Sequence, residues 1–157
     1  WSSDVCSSDL LAPIEPMRLK IEVNTYEHFS VLGYVSTSFE MQSSWYSGSC
    51  KLKTYSLDEL MGTKLRALYQ RKKGRDLFDL NLAMSRVDAP TIVRVWREYM
   101  RFGGGDVPSA KQFAANMDEK MTLNDYLVDV EPLLRSGVSY DSHEAYAEFK
   151  RIILPLI

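Results

Sequence analysis

The chain has 157 residues, a formal net charge of −2 and 45% hydrophobic residues, which is enough for one folded domain of ordinary size. Of the two cysteines, Cys6 lies in the N-terminal segment 1–10 described below, which leaves Cys50 alone and argues against a disulfide framework and a cysteine-based zinc site. The two histidines, His28 and His143, lie far apart in sequence, which argues against a histidine-rich metal site. No apolar run approaches the roughly 18 residues of a membrane span. We therefore expect a cytoplasmic protein that does not associate with membranes.

Residues 1–10 contain the tripeptide Ser-Ser-Asp twice, five residues apart. They show no apolar period, and they lack the basic and apolar regions of a signal peptide. The segment resembles the conceptual translation of a sequencing adapter, and the alternative is a genuine flexible tail. We expect the natural chain to extend upstream of Leu11, and residues 1–10 are excluded from the fold prediction.

Residues 11–56 are predicted to be the remnant of a β-sheet. Between residues 17 and 25, Leu19, Ile21 and Val23 alternate with polar residues, which is the period of a half-buried strand. Further strands are predicted over 34–41 and 49–55, with a turn at 43–48.

From Ser56 onward the apolar period predicts helices over 57–72, 75–86, 89–101, 109–120, 122–134 and 142–153. Ser56 and Glu59 have the spacing of a capping box, and Gly74 ends the first helix. Strands followed by segregated helices predict an α+β protein, in which 11–56 and 57–157 pack as one domain. Nine aromatic and methionine positions have the helical spacing of core residues: Trp96, Tyr99, Met100, Phe113, Met117, Met121, Tyr126, Tyr146 and Phe149.

Lys64 occupies a position in the first helix where the pattern favours an apolar residue. It shares a predicted buried stripe with Leu57, Leu60, Met61 and Leu68. A buried ammonium group is costly unless it is paired or meets an anionic ligand. Asp76 and Asp79 lie three residues apart on one face of the next helix and could pair with it. Three interpretations therefore remain open: Lys64 extends to the rim of the core, it forms a structural ion pair with one of these aspartates, or it is a functional lysine.

The region 51–75 carries eight basic and two acidic side chains, so its local charge is +6 (eight minus two) in a chain of net charge −2. Such asymmetry indicates an anionic partner, either a phosphate group or a nucleic acid. For residues 71–73 the alternative is a solvated helix end, because cations are favoured near a helix C-terminus.

Three segments in this order resemble the AbiEii/AbiGii family, the nucleotidyltransferase toxins of abortive-infection and type IV toxin–antitoxin systems. They are the predicted strand at 18–24, the helix start at 54–60 and the block 64–79, and residues 138–141 before the last helix are also similar. The similarity extends over 12–157. It implies the C-terminal part of a nucleotidyltransferase-fold sheet followed by a helical bundle.

The resemblance also implies a site. Glu22 matches a carboxylate that binds Mg²⁺, Lys64 matches a lysine that contacts the triphosphate, and Asp76 or Asp79 matches the acid that follows it. The residues implied to bind nucleotide or RNA phosphate are Lys64, Arg71 and Arg75. The implied partners are an NTP as substrate, a tRNA acceptor and a cognate antitoxin.

Two motifs of the family have no counterpart upstream of Glu22: a Gly-Ser turn and the Asp-x-Asp strand that supplies two of three metal-binding carboxylates. Two-metal phosphoryl transfer needs the metals to stabilise both the attacking and the leaving oxygen. We therefore expect this chain, an N-terminally truncated form, to be inactive in transfer. The alternatives are a non-catalytic module that binds RNA or the antitoxin, and a structural remnant.

Overall fold

The computed structural model describes residue 21 and residues 27–157. Within this part the chain forms a two-stranded antiparallel sheet followed by six α-helices, so the α+β prediction is confirmed. The elements are β1 (Tyr34–Gln42), β2 (Ser47–Tyr55), α1 (Leu57–Gln70), α2 (Gly74–Ala83), α3 (Ala89–Phe102), α4 (Ala110–Lys120), α5 (Asn124–Leu127) and α6 (Ser142–Ile152). Short 3-10 helices cover Met84–Arg86, Glu131–Leu133 and Leu154–Leu156. The strand predicted over 17–25 lies outside the described residues except for residue 21.

The β1–β2 hairpin separates apolar from polar side chains. Strand residues alternate between two faces, and the register pairs Tyr34 with Tyr55 and Phe39 with Cys50. One face, called here the apolar hairpin face, carries Val35, Phe39, Met41 and Leu52, all between 41% and 50% exposed. The opposite face carries Ser36, Ser38, Glu40, Lys51 and Lys53. This alternation is typical of a sheet whose apolar face packs against other parts of a protein. Within the described part of the chain, however, the apolar hairpin face is exposed.

The helices enclose the core, in which α1 packs against α3 and α2. All nine aromatic and methionine positions predicted to lie in the core are buried. Gly62 allows the close approach of α1 to α3, because a Cβ atom there would lie 2.4 Å from Cγ1 of Val95. The helical period therefore identified these nine positions correctly, whereas Leu60, predicted on the buried stripe of the first helix, is 37% exposed.

The single helix predicted over 122–134 is wrong. The chain forms the short helix α5 and then a separate 3-10 turn at Glu131–Leu133. Pro132 lies in the first turn of that 3-10 helix. A proline at this position of a continuous α-helix would remove one backbone hydrogen bond and clash with the carbonyl group of Val128. The break also leaves Asp129 in a connecting segment, where it contacts α2.

Candidate active site

Lys64 belongs to α1, and its side chain extends toward α2, where it contacts both Asp76 and Asp79. Its Nζ is 2.6 Å from Oδ2 of Asp79 and 3.5 Å from Oδ1 of Asp76. The side chain of Asp76 is 0% exposed, whereas those of Lys64 and Asp79 are 31% and 36% exposed. Lys64 therefore lies at the rim of the core rather than inside it. The contacts are those that the ion-pair interpretation predicts, and a functional lysine at this place remains compatible with them.

Asp76 is bound through both of its carboxylate oxygens. The Arg71 side chain donates from Nε to Oδ2 and from Nη2 to Oδ1, both at 2.6 Å. Arg71 follows the last turn of α1 and Asp76 lies in the first turn of α2, so this bidentate pair closes the α1–α2 turn. The hydrogen bonds from Arg71 to Asp76 raise the pKa of the Arg71 guanidinium.

Arg75 is bound to Asp129, which follows α5. Its backbone N–H and its Nε each donate to Oδ2 at 3.2 Å, and Lys73 lies 3.7 Å from the other oxygen. Partial burial raises the pKa of Asp129, but the hydrogen bonds from Arg75 and the charge of Lys73 outweigh it and lower that pKa.

Most of the positive charge in the region 51–75 is compensated in space. Six of its eight basic side chains form ion pairs: Lys64, Arg66, Arg71, Lys72, Lys73 and Arg75. Their partners are Glu27, Asp76, Asp79, Glu119 and Asp129. A local excess of charge in the sequence therefore does not produce an equally basic surface, and a phosphate ligand at these residues would have to compete with carboxylates.

Sequence reasoning missed the role of Glu59. Ser56 caps α1 by accepting from the backbone N–H of Glu59, but the Glu59 carboxylate does not complete the capping box. It is 0% exposed and accepts hydrogen bonds from the Ser30 hydroxyl, from the N–H groups of Val31 and Leu32, and from the Tyr99 hydroxyl. Burial raises the pKa of Glu59, but these four hydrogen bonds outweigh it and lower that pKa. Glu59 therefore fixes the segment before β1 onto α1 and α3.

Lys120 was also missed. This residue is 1% exposed, and its Nζ donates to the carbonyl groups of Leu68 and Tyr69, which belong to the last turn of α1. Burial lowers the pKa of Lys120 to about 8, although the charge of Asp76 opposes that shift. The sequence contained a signal for this position. Lys120 lies seven residues after Phe113, so both share one face of the helix, and the same spacing argument identified Lys64.

The described residues do not fit a Mg²⁺ site by themselves. Glu22, the predicted metal ligand, lies outside them. Within the described part of the chain, no group of three or more His, Cys, Asp or Glu side chains could hold a metal ion. Both carboxylate oxygens of Asp76 already bind Arg71 or Lys64, so these side chains take the positions that a metal ion would need.

A cavity of about 410 Å³ lies beside the α1–α2 turn. Its lining comes from Lys72, Lys73, Leu123, Asn124, Asp125 and Tyr126. In the part of the chain that the structure describes, no helix has the length and apolarity needed to cross a membrane.

The family model of the nucleotidyl transferase AbiEii toxins of type IV toxin–antitoxin systems matches residues 8–149. This match covers most of the chain, and the chain therefore belongs to that family. No curated protein and no solved structure matches it. The family assignment confirms the resemblance seen in the sequence, and it places the chain among nucleotidyl transferases with a toxin–antitoxin association.

Proposed function

We propose that the chain belongs to a cytoplasmic toxin that transfers a nucleotide from an NTP to an RNA acceptor, specifically tRNA, and that is paired with a cognate antitoxin. Family membership supports the reaction class. The observation that carries the site assignment is Lys64, which is held by two aspartates and still 31% exposed. An ammonium group in this position is oriented by the protein and accessible to an anionic ligand.

The two aspartates have different roles in this proposal. The pair between Lys64 and Asp79 is partly exposed, and such pairs contribute little to stability, so a phosphate oxygen can replace Asp79. Asp76 is fully buried and held by Arg71, so it keeps the lysine in place during that exchange. Lys64 then stabilises the negative charge that develops on the transferring phosphates.

In this proposal Arg71 and Arg75 contact nucleotide or RNA phosphate. Their side chains are 52% and 44% exposed, which leaves part of each guanidinium accessible beside its carboxylate partner. Mg²⁺ coordination is proposed for Glu22 together with the carboxylates of the Asp-x-Asp motif. Since this chain has no such motif before Glu22, we propose that it does not transfer nucleotides on its own.

The test is incorporation of labelled NTP into total tRNA in the presence of Mg²⁺. The 157-residue chain should give no transfer, whereas a reading frame that also encodes the Gly-Ser and Asp-x-Asp motifs should. In that longer form Lys64→Ala should abolish transfer with little change in melting temperature, because the partly exposed ion pair contributes little to stability. Lys111→Ala, a change at an exposed lysine of α4, is the matched control. Activity of the 157-residue chain would contradict the missing-motif argument, and an active but unstable Lys64→Ala variant would make Lys64 structural.

A second candidate is a non-catalytic module that binds the antitoxin or RNA. The apolar hairpin face favours it, because exposed apolar patches of this kind often mark protein interaction sites. The longer form discriminates between the two functions: binding of a partner without any transfer would favour the module.

A further inference from the structure

The cavity beside the α1–α2 turn has the size and chemistry of a ligand site. Its volume of about 410 Å³ falls in the range of pockets that hold small molecules, roughly 300–1,000 Å³. Lys72 and Lys73 contribute one part of the lining, and residues 123–126 contribute the rest. The two parts differ chemically. The first is cationic, and the second combines the apolar surface of Leu123 and Tyr126 with the hydrogen-bonding groups of Asn124 and Asp125.

The cationic part is available to a phosphate group. Lys72 and Lys73 are 58% and 51% exposed, and their carboxylate partners lie 2.7 Å away (Glu119) and 3.7 Å away (Asp129). The Lys72–Glu119 pair is exposed on both sides, and such pairs contribute little to stability, so a dianionic phosphate can exchange for the Glu119 carboxylate. Asp129 is only 12% exposed and stays bound to Arg75, but Lys73 lies too far from it for a hydrogen bond and can contact the phosphate without displacing it. Lys72 and Lys73, which both line the cavity, then supply the charge that phosphate binding requires.

The other part of the lining suits a nucleobase. Leu123 and Tyr126 contribute apolar surface, and Tyr126 is only 2% exposed, so it backs the cavity. The Asn124 amide can both donate and accept, and the Asp125 carboxylate accepts from exocyclic amino groups, which are the contacts by which side chains bind base edges.

The two parts of the lining are held in fixed relation. At Gly74 a Cβ atom would lie 2.1 Å from the carbonyl oxygen of Tyr126, so the backbone after Lys73 contacts the backbone of α5 directly. Arg75 adds hydrogen bonds from its backbone and side chain to Asp129, just after α5. A cavity with walls fixed in this way does not have to be ordered when a ligand binds.

We propose that this cavity binds one nucleotide unit, with its phosphate at Lys72 and Lys73 and its base against residues 123–126. A free mononucleotide and one residue of an RNA strand offer the same chemistry. The inference rests on the proposed function, because an RNA acceptor supplies such a nucleotide unit. The unit is bound in the cavity and not at Lys64.

The experiment is calorimetric titration of the 157-residue chain with AMP, CMP, GMP and UMP, and separately with a single-stranded hexaribonucleotide. Lys72→Gln with Lys73→Gln should weaken binding at least tenfold. Asn124→Trp, which fills the cavity without changing the charge, should weaken it similarly. Lys51→Gln with Lys111→Gln removes the same charge elsewhere and should leave the affinity within twofold. Melting curves establish that each variant is folded.

The outcomes separate the two ligand sources and the two proposals. Binding of the hexaribonucleotide without the mononucleotides assigns the cavity to an RNA strand, and comparable binding of both assigns it to the free nucleotide. No binding of either ligand, or unchanged binding by both cavity variants, overturns the inference. Loss of binding in Lys64→Ala alone would place the ligand at Lys64, which overturns this inference and leaves the proposed function intact.

Discussion

Arg71 makes two hydrogen bonds of 2.6 Å to Asp76, a pairing that joins a half-exposed guanidinium to a fully buried carboxylate. The two residues are five apart and lie on either side of the α1–α2 turn. Asp76 is therefore a structural residue of the α1–α2 turn, whereas Asp79 is the more exposed aspartate, which the proposed function assigns to ligand exchange.

The two aspartates should differ in their contribution to stability. Asp76→Asn places an amide NH₂ group against the donors of Arg71 and Lys64 and removes charge-assisted hydrogen bonds, so the expected loss is about 2 kcal/mol in the free energy of unfolding. Asp79→Asn removes a partly exposed pair and should cost no more than about 1 kcal/mol. Urea denaturation of both variants measures the difference, with the exposed Asp125→Asn as the control. Equal losses would mean that Asp76 is not the anchor of the turn.

Glu59→Gln is expected to destabilise the chain by about 3 kcal/mol, because an amide NH₂ group would then face donors that now bind a buried carboxylate. Tyr99→Phe removes one of the four hydrogen bonds and should cost about 1 kcal/mol. Chemical denaturation gives both values. If Glu59→Gln were nearly neutral, the segment 30–32 would not depend on this carboxylate.

Lys120 gives the stability a specific pH dependence. Its pKa is about 8 in the folded chain, against about 10.4 for an unperturbed lysine, so the unfolded chain binds more protons between those values. The free energy of unfolding should therefore rise with pH in that window. Lys120→Met cannot titrate and should lose most of this rise, whereas Lys111→Met should keep it. Urea denaturation from about pH 7 to about pH 10 tests the slope, and an unchanged slope in Lys120→Met would assign it to other groups.

Gly74→Ala should destabilise the chain by about 2 kcal/mol, because the new Cβ atom would overlap the carbonyl oxygen of Tyr126. Gly105→Ala is the matched control, since a Cβ atom there meets nothing within 4 Å. Thermal melting compares the two variants. Similar melting temperatures would show that α5 can shift away from residue 74 without a loss of stability.

Sequence patterns predicted those features of the fold that depend on local spacing. The helix predicted over 89–101 matches α3, whose N-cap Asp88 accepts from the backbone of Thr91. Most of the buried stripes follow from the helical period. The same period gave the direction of Lys64 around its helix but not its depth. It left open whether the ammonium group stays in the core or extends to the rim, and the structure shows the rim.

Contacts between distant parts of the chain could not be predicted in this way. Glu119 lies 47 residues from Lys72 and Asp129 lies 54 residues from Arg75, and no spacing rule relates residues so far apart. Glu59 was misassigned because its position also fits a capping box, and only the tertiary structure shows that its carboxylate binds residues 30–32. The roles of Glu22 and of the upstream motifs stay predictions.

The β1–β2 hairpin is expected to be less stable than the helical core. Its strands pair with each other, and within the described residues they make few contacts with the helices. A two-stranded ribbon is only marginally stable on its own, so the hairpin can open while the helical core stays folded. Its amides should exchange with deuterium faster than those of α1. The opened form presents Val35, Phe39 and Met41 on an unpaired strand, so aggregation on heating should begin here and set in below the temperature at which the helices melt.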